Sequence, residues 1–422
     1  MLKIQKVKIA DWPFYAAEVF MVCNRNEVGK LKKLLIHRPG RELENLVPTY
    51  LERQLFDDIP WLEEAQREHD AYTNVAREHG VEVFEIRDLI AQTAALSEEL
   101  KRAFLRDFLR ETRITEENTV AALVDFLSGK DVFEMADILI AGLRKSEFDY
   151  KGQSLEDRMP DSYPFVFDPL PNMYFTRDPF SFVGNGVIIS RMYSEARNRE
   201  SLLGEFVLRN HPMFRGIPVY YDRTDGYSIE GGDVMVLAPD TLAIGVSQRT
   251  QAGAVEKVAG RILSDAESGF RKVLAVNIPK TRSYMHLDTV LTMVDKDKFA
   301  VHPNIEKEIG VFALSVKDGK FIIEEEPEGI GKSLEKHLGI EKVTFVRCGG
   351  NNYIDSEREQ WNDGANTLVL SPGNVIVYAR NVVTNALMRK SGLSLNEIPC
   401  SELSRGRGGP HCMSMAIERD LP

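Results

Sequence analysis

Apolar positions along this chain fall into short runs separated by turn residues, and the same arrangement keeps returning. Residues 174–183 lead through Gly184-Asn185-Gly186 into 187–192, and residues 234–237 lead through Pro239-Asp240 into 242–247. Residues 289–294 turn at 295–298 into 299–302, and residues 367–370 turn at Pro372-Gly373 into 375–378. Each is an apolar strand, a tight turn and a second apolar strand, which predicts a hairpin. The first three turns recur at a spacing of about 55 residues, the period of a repeat architecture. Between them, residues 195–210 and 250–263 carry helical periodicity, and 218–221 and 272–278 read as single strands. The repeating unit is strand, strand, helix, strand.

An N-terminal unit fits the same plan: strand 32–37 ending at Pro39-Gly40, helix 61–78 stopped by Gly80, and strand 81–86. That makes about five units, none large enough to bury a core alone. The economical solution is an α/β fold closed in a circle, a five-bladed propeller of ββαβ units. Residues 88–146 break the plan and read as helices, with Ser97 capping a stretch that contains Leu100, Phe104 and Phe108, and Thr115 capping one that runs through Leu123 and Leu127 to Gly129. They are expected to form a helical insertion in a catalytic domain of residues 21–422. Residues 144–171 read as a polar connector.

A net charge of -11 and a pI near 5.4 argue against a nucleic-acid footprint and suit a cationic small substrate. Cys23, Cys348, Cys400 and Cys412 form no CxxC pair and lack the density of a disulfide scaffold, so free thiols in a reducing cytoplasm are expected. Lys3, Lys6 and Lys8 precede apolar residues in the manner of a signal peptide, but Asp11, Pro13 and Glu18 interrupt the run. No apolar stretch approaches the roughly 18 to 20 residues that span a bilayer. Residues 1–20 are expected to be a disordered extension, with Met21 as an alternative start.

Polar residues that do not suit buried strands occupy one location in the repeat, just ahead of each hairpin turn. They are Arg177-Asp178-Pro179, Glu230-Gly231-Gly232-Asp233, His286-Leu287-Asp288 and Asp363-Gly364-Ala365-Asn366. In a propeller, equivalent positions surround one axis at one depth, so these groups would meet in a pocket. Taken singly, Asp178 and Asp363 also suit turn caps, Glu230 and Asp233 a solvated turn, and His286 a core histidine. Cys412 lies in Arg405-Gly406-Arg407-Gly408-Gly409-Pro410-His411-Cys412, where glycines permit close backbone approach to a ligand and the arginines can stabilise a thiolate or bind a carboxylate. It is the candidate nucleophile.

Together, residues 171–179, 230–233, 285–289, 363–367 and 402–412, with 29–40 and 55–61 upstream, resemble the arginine deiminase family in order from about residue 22 to the C-terminus. The resemblance implies a five-bladed ββαβ propeller (pentein) with an inserted helical bundle. It also implies hydrolysis of L-arginine to L-citrulline and ammonia, with no cofactor and no metal. Cys412 would attack the guanidino carbon to give a thiouronium, Asp178 and Asp288 would clamp the planar guanidinium, His286 would protonate the departing ammonia and later deprotonate water, and Glu230 would orient His286. Arg197 and Arg249, helped by Asn172 and Arg407, would hold the amino-acid end, and Arg407 would also act as a gate. Gln248, where relatives often carry Glu, leaves open what holds Arg249. Carboxylates around Cys412 should disfavour its thiolate until a guanidinium binds. No nucleic acid or membrane partner is expected. A homo-oligomer, dimer or tetramer, is suggested by spare apolar faces on the insertion. The alternatives are agmatine deiminase, dimethylarginine hydrolase or an amidinotransferase on the same fold, and a metal hydrolase using His286, Asp288, Asp178 and Glu230 as ligands.

Overall fold

The computed structural model describes residues 22–150 and 162–422. The expected extension at residues 1–20 therefore lies outside the described residues, as does the centre of the 144–171 connector. Along the chain come β1 (Leu31–Ile36), α1 (Leu62–Glu78) and β2 (Glu82–Glu85), then the helices α2 (Ile86–Ala95), α3 (Glu98–Glu111), α4 (Glu117–Ser128) and α5 (Val132–Ala141). A short antiparallel pair, β3 (Leu143–Arg144) with β4 (Phe165–Phe167), frames the ends of the connector. There follow β5 (Phe180–Val183), β6 (Gly186–Ile189), α6 (Asn198–Asn210) and β7 (Val219–Tyr221), and then β8 (Val234–Ala238), β9 (Thr241–Val246), α7 (Ala252–Ser264) and β10 (Lys272–Asn277). The next unit has β11 (Leu291–Asp295), β12 (Lys298–Val301), an added hairpin of β13 (Gly310–Lys317) and β14 (Lys320–Glu325), α8 (Gly329–Leu338) and β15 (Thr344–Arg347). Last come α9 (Tyr353–Trp361), β16 (Leu368–Ser371), β17 (Asn374–Tyr378), α10 (Val382–Lys390), β18 (Ser394–Ile398) and β19 (Met415–Arg419).

The units are built alike. In each, two antiparallel strands form a hairpin and the chain returns through a helix to lay a third strand parallel to the second: β5-β6-β7, β8-β9-β10, β11-β12-β15 and β16-β17-β18. A parallel neighbour needs such a crossover, because a tight turn can only reverse the chain. The N-terminal unit is completed from the far end of the sequence. β19 pairs antiparallel with β1, and β2 pairs parallel with β1, so the last strand of the chain is the first strand of that unit. Its neighbours touch in turn: β19 meets β5, β11 meets β16, and β16 meets β1.

Two expectations change. The cap of α4 is Glu116, whose carboxylate accepts from Thr119 N at 2.6 Å; Thr115 lies one residue upstream of the N-cap position. Nor are the apolar faces of the insertion spare surface. Leu105, Phe108, Leu123, Leu127 and Leu139 are buried in one cluster with β5, β6 and α6, and Phe104 stacks on Phe206 with ring centroids 3.8 Å apart. The β13-β14 hairpin had no counterpart in the repeat pattern. It extends the sheet to the order β14-β13-β10-β9-β8. None of the described helices is long and apolar enough to cross a membrane.

Phe104 joins the insertion to α6, so its removal tests how firmly the helices are attached. Phe104→Ala is expected to lower unfolding free energy by about 3–5 kcal/mol in urea titrations, from lost burial plus the cavity left behind; a loss below about 1 kcal/mol would mean that the insertion is held elsewhere.

Candidate active site

The segments just ahead of each unit's first strand converge. Asp178 lies two residues before β5, Glu230 four before β8, Asp288 three before β11 and Asn366 two before β16. Cys412 lies three residues before β19, which makes it the equivalent position of the N-terminal unit. The sequence repeat revealed four of these positions; the fifth was hidden because its hairpin joins the two ends of the chain.

Asn172, Asp178, Arg197, Arg249, His286, Arg407 and Cys412 all line one narrow cleft with about 20 Å³ of water-accessible space. Glu230 and Asp288 stand directly behind it, each fully buried. The thiol of Cys412 donates to Asp288 Oδ2 at 3.6 Å, and its backbone N–H donates to Asn366 Oδ1 at 3.0 Å. Asn366 Nδ2 in turn donates to the Asp288 carbonyl at 3.1 Å, so one amide fixes both the nucleophile loop and the acid beside it. Gly409 permits this approach, since a Cβ there would lie 2.5 Å from the Asn366 carbonyl oxygen. A Cβ on Gly232 would press on the His286 ring at 2.7 Å, so the Gly231-Gly232 step leaves room for the imidazole.

His286 Nε2 is 2.8 Å from Glu230 Oε2, and its Nδ1 is 3.8 Å from Asp178 Oδ1. Burial alone would lower the imidazole's pKa, but the Asp178 charge and the hydrogen bond to Glu230 outweigh it and raise the group to about 9. Glu230 is held below the usual carboxylate range: its burial is overcome by Arg249 and by His286. Burial pushes the Cys412 thiol well above its ordinary value, and Asp288, Asp178 and Asp363 add to the shift. These surroundings favour a protonated imidazole on His286 and a neutral thiol on Cys412.

Arg197, expected at the amino-acid end, lines the same cleft as Asn172, Arg249 and Arg407 and also holds two buried acids. Its Nη1 donates to Asp178 Oδ2 at 2.8 Å and its Nε and Nη2 donate to Glu200. The physical reason is charge: Asp178 and Glu200 are buried, and a shared guanidinium is the nearest compensation. Asp178 Oδ1 and Asp288 Oδ1 remain buried with no hydrogen-bond partner. Arg249 is positioned through its neighbour. Ser247 Oγ donates to Asp233 Oδ2 at 2.7 Å and accepts from the Arg249 and Thr250 N–H groups, so the loop is secured without help from Gln248. Asn172 donates to the Gln54 carbonyl at 2.8 Å. Arg407, at φ 65°, lies 3.3 Å over the Trp361 ring, with Nη1 3.9 Å from Asp57 Oδ2.

Sequence reasoning missed His411. Its Nδ1 is 2.8 Å from Asp288 Oδ2 and its Nε2 is 3.3 Å from Glu27 Oε2, which bridges the acid beside the thiol to the N-terminal segment. A histidine adjoining the nucleophile was the available signal. Glu200, three residues after Arg197 on the first turn of α6, was missed as well, and its spacing was the clue.

With this geometry in view, comparison with known proteins is decisive. The sequence profile of the arginine deiminase family matches residues 52–419. The chain belongs to the arginine deiminase family. It is 48% identical over 400 residues to a Streptococcus agalactiae protein named arginine deiminase, covering 94% of this chain and 97% of that protein. A Streptococcus pyogenes protein of the same name is 47% identical over 401 residues, with the same coverage. Among solved structures, a variant of DDAH from Pseudomonas aeruginosa complexed with citrulline is 16% identical with a TM-score of 0.50, covering 92% of this chain and 99% of that one. The product-bound N-terminal domain of ArgZ, an arginine dihydrolase from cyanobacteria, is 14% identical with a TM-score of 0.52 and the same coverage. These two likenesses are of fold: a mixed α/β chain shared with the DDAH and ArgZ structures.

The Glu230–His286 pair yields a direct titration. In NMR spectra assigned with a His286→Asn variant, the His286 ring protons are expected to titrate near pH 9, and Glu230→Gln should move that midpoint to lower pH because the accepting carboxylate is gone. A midpoint at the ordinary value near 6.5 in the unsubstituted protein would contradict the pairing.

Proposed function

We propose that this chain hydrolyses L-arginine to L-citrulline and ammonia, with Cys412 as nucleophile. The observation that carries the reading is the pair of buried carboxylate oxygens without hydrogen-bond partners, Asp178 Oδ1 and Asp288 Oδ1, beside the Cys412 thiol and the His286 imidazole. Buried acceptors of this kind are costly unless a donor arrives, and a planar cation with N–H groups on several edges suits both. A guanidinium held between them would bring its central carbon to Cys412. Its charge would offset the acids that keep the thiol protonated, so binding itself would favour the thiolate.

The sulfur then adds to the guanidino carbon, forming a C–S bond, and the C–N bond to one terminal nitrogen breaks as His286 delivers a proton to it; ammonia leaves and an S-alkylthiouronium remains. His286, now neutral and oriented by Glu230, takes a proton from a water molecule attacking the same carbon. The C–S bond breaks, the sulfur regains a proton, and citrulline is released. Arg249, Asn172 and Arg407 receive the amino-acid end, and Arg197 joins them by turning part of its guanidinium away from Asp178. Arg407 serves as the gate, its guanidinium leaving the Trp361 face as the cleft opens. A free carboxylate on the substrate is what this set of arginines selects, which disfavours agmatine.

The five ββαβ units close as a five-bladed propeller in this reading, supported by the strand contacts that run from unit to unit and by the β19-β1 pair. Residues 21–422 form the catalytic domain with the helical insertion inside it. The protein acts in the cytoplasm as a homo-oligomer.

A metal hydrolase draws on one observation: ligand atoms of Asp178, Glu230 and His286 lie within 4.8 Å of one another. Against it, Arg197 Nη1 sits 2.8 Å from Asp178 Oδ2 and Arg249 Nη1 3.8 Å from Glu230 Oε2, so cationic charge already occupies the surroundings of these oxygens. Activity that survives prolonged chelation supports the cysteine route, and activity lost to chelator and restored by zinc would replace it.

Colorimetric citrulline assays test the proposal. Cys412→Ala should reduce turnover by about four orders of magnitude or more, as removal of a nucleophile does, while Asp178→Asn and Asp288→Asn should each cost about 10²- to 10³-fold. Citrulline formation by Cys412→Ala at an unchanged rate would overturn the assignment. Alkylation of Cys412 by iodoacetamide, followed against pH, should shift to lower pH when a small cationic amidine is added, because the bound cation favours thiolate; coincident profiles would remove substrate-assisted ionisation from the mechanism.

A further inference from the structure

The chain at the start of α6 serves two clefts. Arg197, just ahead of the helix, lines the narrow cleft that holds Cys412, while Asn198 and Arg199 line a wider one of about 860 Å³, whose other walls come from the end of α3 and the stretch around β4. The charged side chains of this second cleft are nearly all matched. Arg53 pairs with Asp168 at 2.6 Å, Arg113 with Glu195, Arg110 with Asp107 at 2.6 Å, and Glu111 with Arg223 at 2.7 Å. Arg199 is the exception. It is 5% exposed, and no carboxylate oxygen among the described residues lies within 4 Å of its nitrogens.

Two contacts hold the Arg199 guanidinium in place: it lies 5.5 Å from the centroid of the Phe108 ring, and Nη1 donates to the Asp168 carbonyl at 2.8 Å. Nε and Nη2 are left with no hydrogen-bond partner among the described residues. Neither nitrogen is sealed from solvent, so this open edge faces the cleft that Arg199 lines. It is the edge that grips oxyanions elsewhere in this molecule. Arg38 and Arg87 each give Nε and Nη2 to the two oxygens of one carboxylate, Asp70 and Asp137, at 2.7 to 2.9 Å. Burial pushes the Arg199 guanidinium down to about 10, the mark of a cation short of compensating charge. We infer that the second cleft binds a small-molecule oxyanion, a phosphate or carboxylate group, with Arg199 as its bidentate clamp. The start of α6 favours the same ligand, because no side chain caps it and the helix dipole attracts negative charge there. Arg53 and Arg113 stand at the walls more than half exposed, and ion pairs so exposed hold weakly enough for either guanidinium to turn toward a bound anion. The volume exceeds that of a free ion and admits the rest of a small molecule.

The inference stands apart from the catalytic reading, because Arg199 does not line the cleft of Cys412. Calorimetric titration of the full chain with sodium phosphate, sodium acetate and sodium chloride at matched ionic strength is the test. Phosphate or acetate should bind with a dissociation constant of about 1 to 10 mM, the strength of one charge-assisted pair in a wet cleft. Chloride has no pair of oxygens to span both N–H groups and should bind at least about tenfold more weakly. Tighter phosphate identifies a phosphoryl ligand, and tighter acetate a carboxylate. Arg199→Gln should weaken the preferred anion at least about tenfold, and Arg199→Lys, which keeps the charge and loses the fork, at least about threefold. Because loss of a buried arginine can disturb folding, Asn198→Asp supplies an independent variant: an acid suits the start of a helix, and its charge beside Arg199 should weaken the anion at least about threefold with circular dichroism unchanged. Arg249→Gln, a change in the cleft of Cys412, should leave the constant unaltered. Binding no stronger than that of chloride, binding that survives Arg199→Gln or Asn198→Asp in folded protein, or binding lost with Arg249→Gln would each overturn the second site.

Discussion

Everything at the centre of this molecule follows from burying carboxylates that must stay charged. Asp178, Glu200, Glu230 and Asp288 are all removed from water, and an ionised acid in such surroundings persists only with compensating charge or hydrogen bonds. The compensation is divided. Arg197 serves Asp178 and Glu200, His286 and Arg249 serve Glu230, and His411 serves Asp288 while also reaching Glu27. Arg197, Arg249, His286 and His411 come from different segments of the chain, so these contacts also fix how the ends of the units meet. The fold and the site are one electrostatic problem.

The division is incomplete on one side. Asp178 and Asp288 each keep an oxygen without a hydrogen-bond partner, and together with Asp363 these are the acids whose charge bears on the Cys412 thiol after its burial. A site that compensated them fully would bind no cation, and one that left more charge bare would struggle to fold. The remaining deficit sets both the charge and the shape of the group that fits, and it couples occupancy of the cleft to the ionisation of the sulfur. The same logic explains Asp363. Burial, reinforced by Asp288, raises it to about 7 in spite of Arg407, so near neutrality it can relieve the crowding by taking up a proton.

What could be read in the sequence followed from periodicity. Turns such as Gly184-Asn185-Gly186 and Pro372-Gly373 mark hairpins by local stereochemistry, and the acids ahead of them stand out because strands seldom bury charge. Longer-range facts were not legible in that way. The β1-β19 pair joins residues almost 390 apart, and no local pattern encodes such a partner. The contact of Arg197 with Asp178 is tertiary, and no local spacing encodes it. Glu116 rather than Thr115 caps α4 because the position of the first turn decides which side chain can reach its N–H groups. The β13-β14 hairpin escaped notice for a different reason: its apolar residues are partly exposed, so its alternation marks a strand without saying what the strand packs against.

The equivalence of the five pre-strand positions carries the argument furthest. Four of them hold Asp178, Glu230, Asp288 and Asn366, and the fifth holds Cys412, so every unit contributes a side chain from the same place in its backbone. The DDAH and ArgZ structures share the fold at 16% and 14% identity. Cys412 is the member of these five with the most at stake in chain closure. It takes the equivalent pre-strand position only because β19 completes the N-terminal unit, so forming the last strand pair also positions Cys412 beside Asp288.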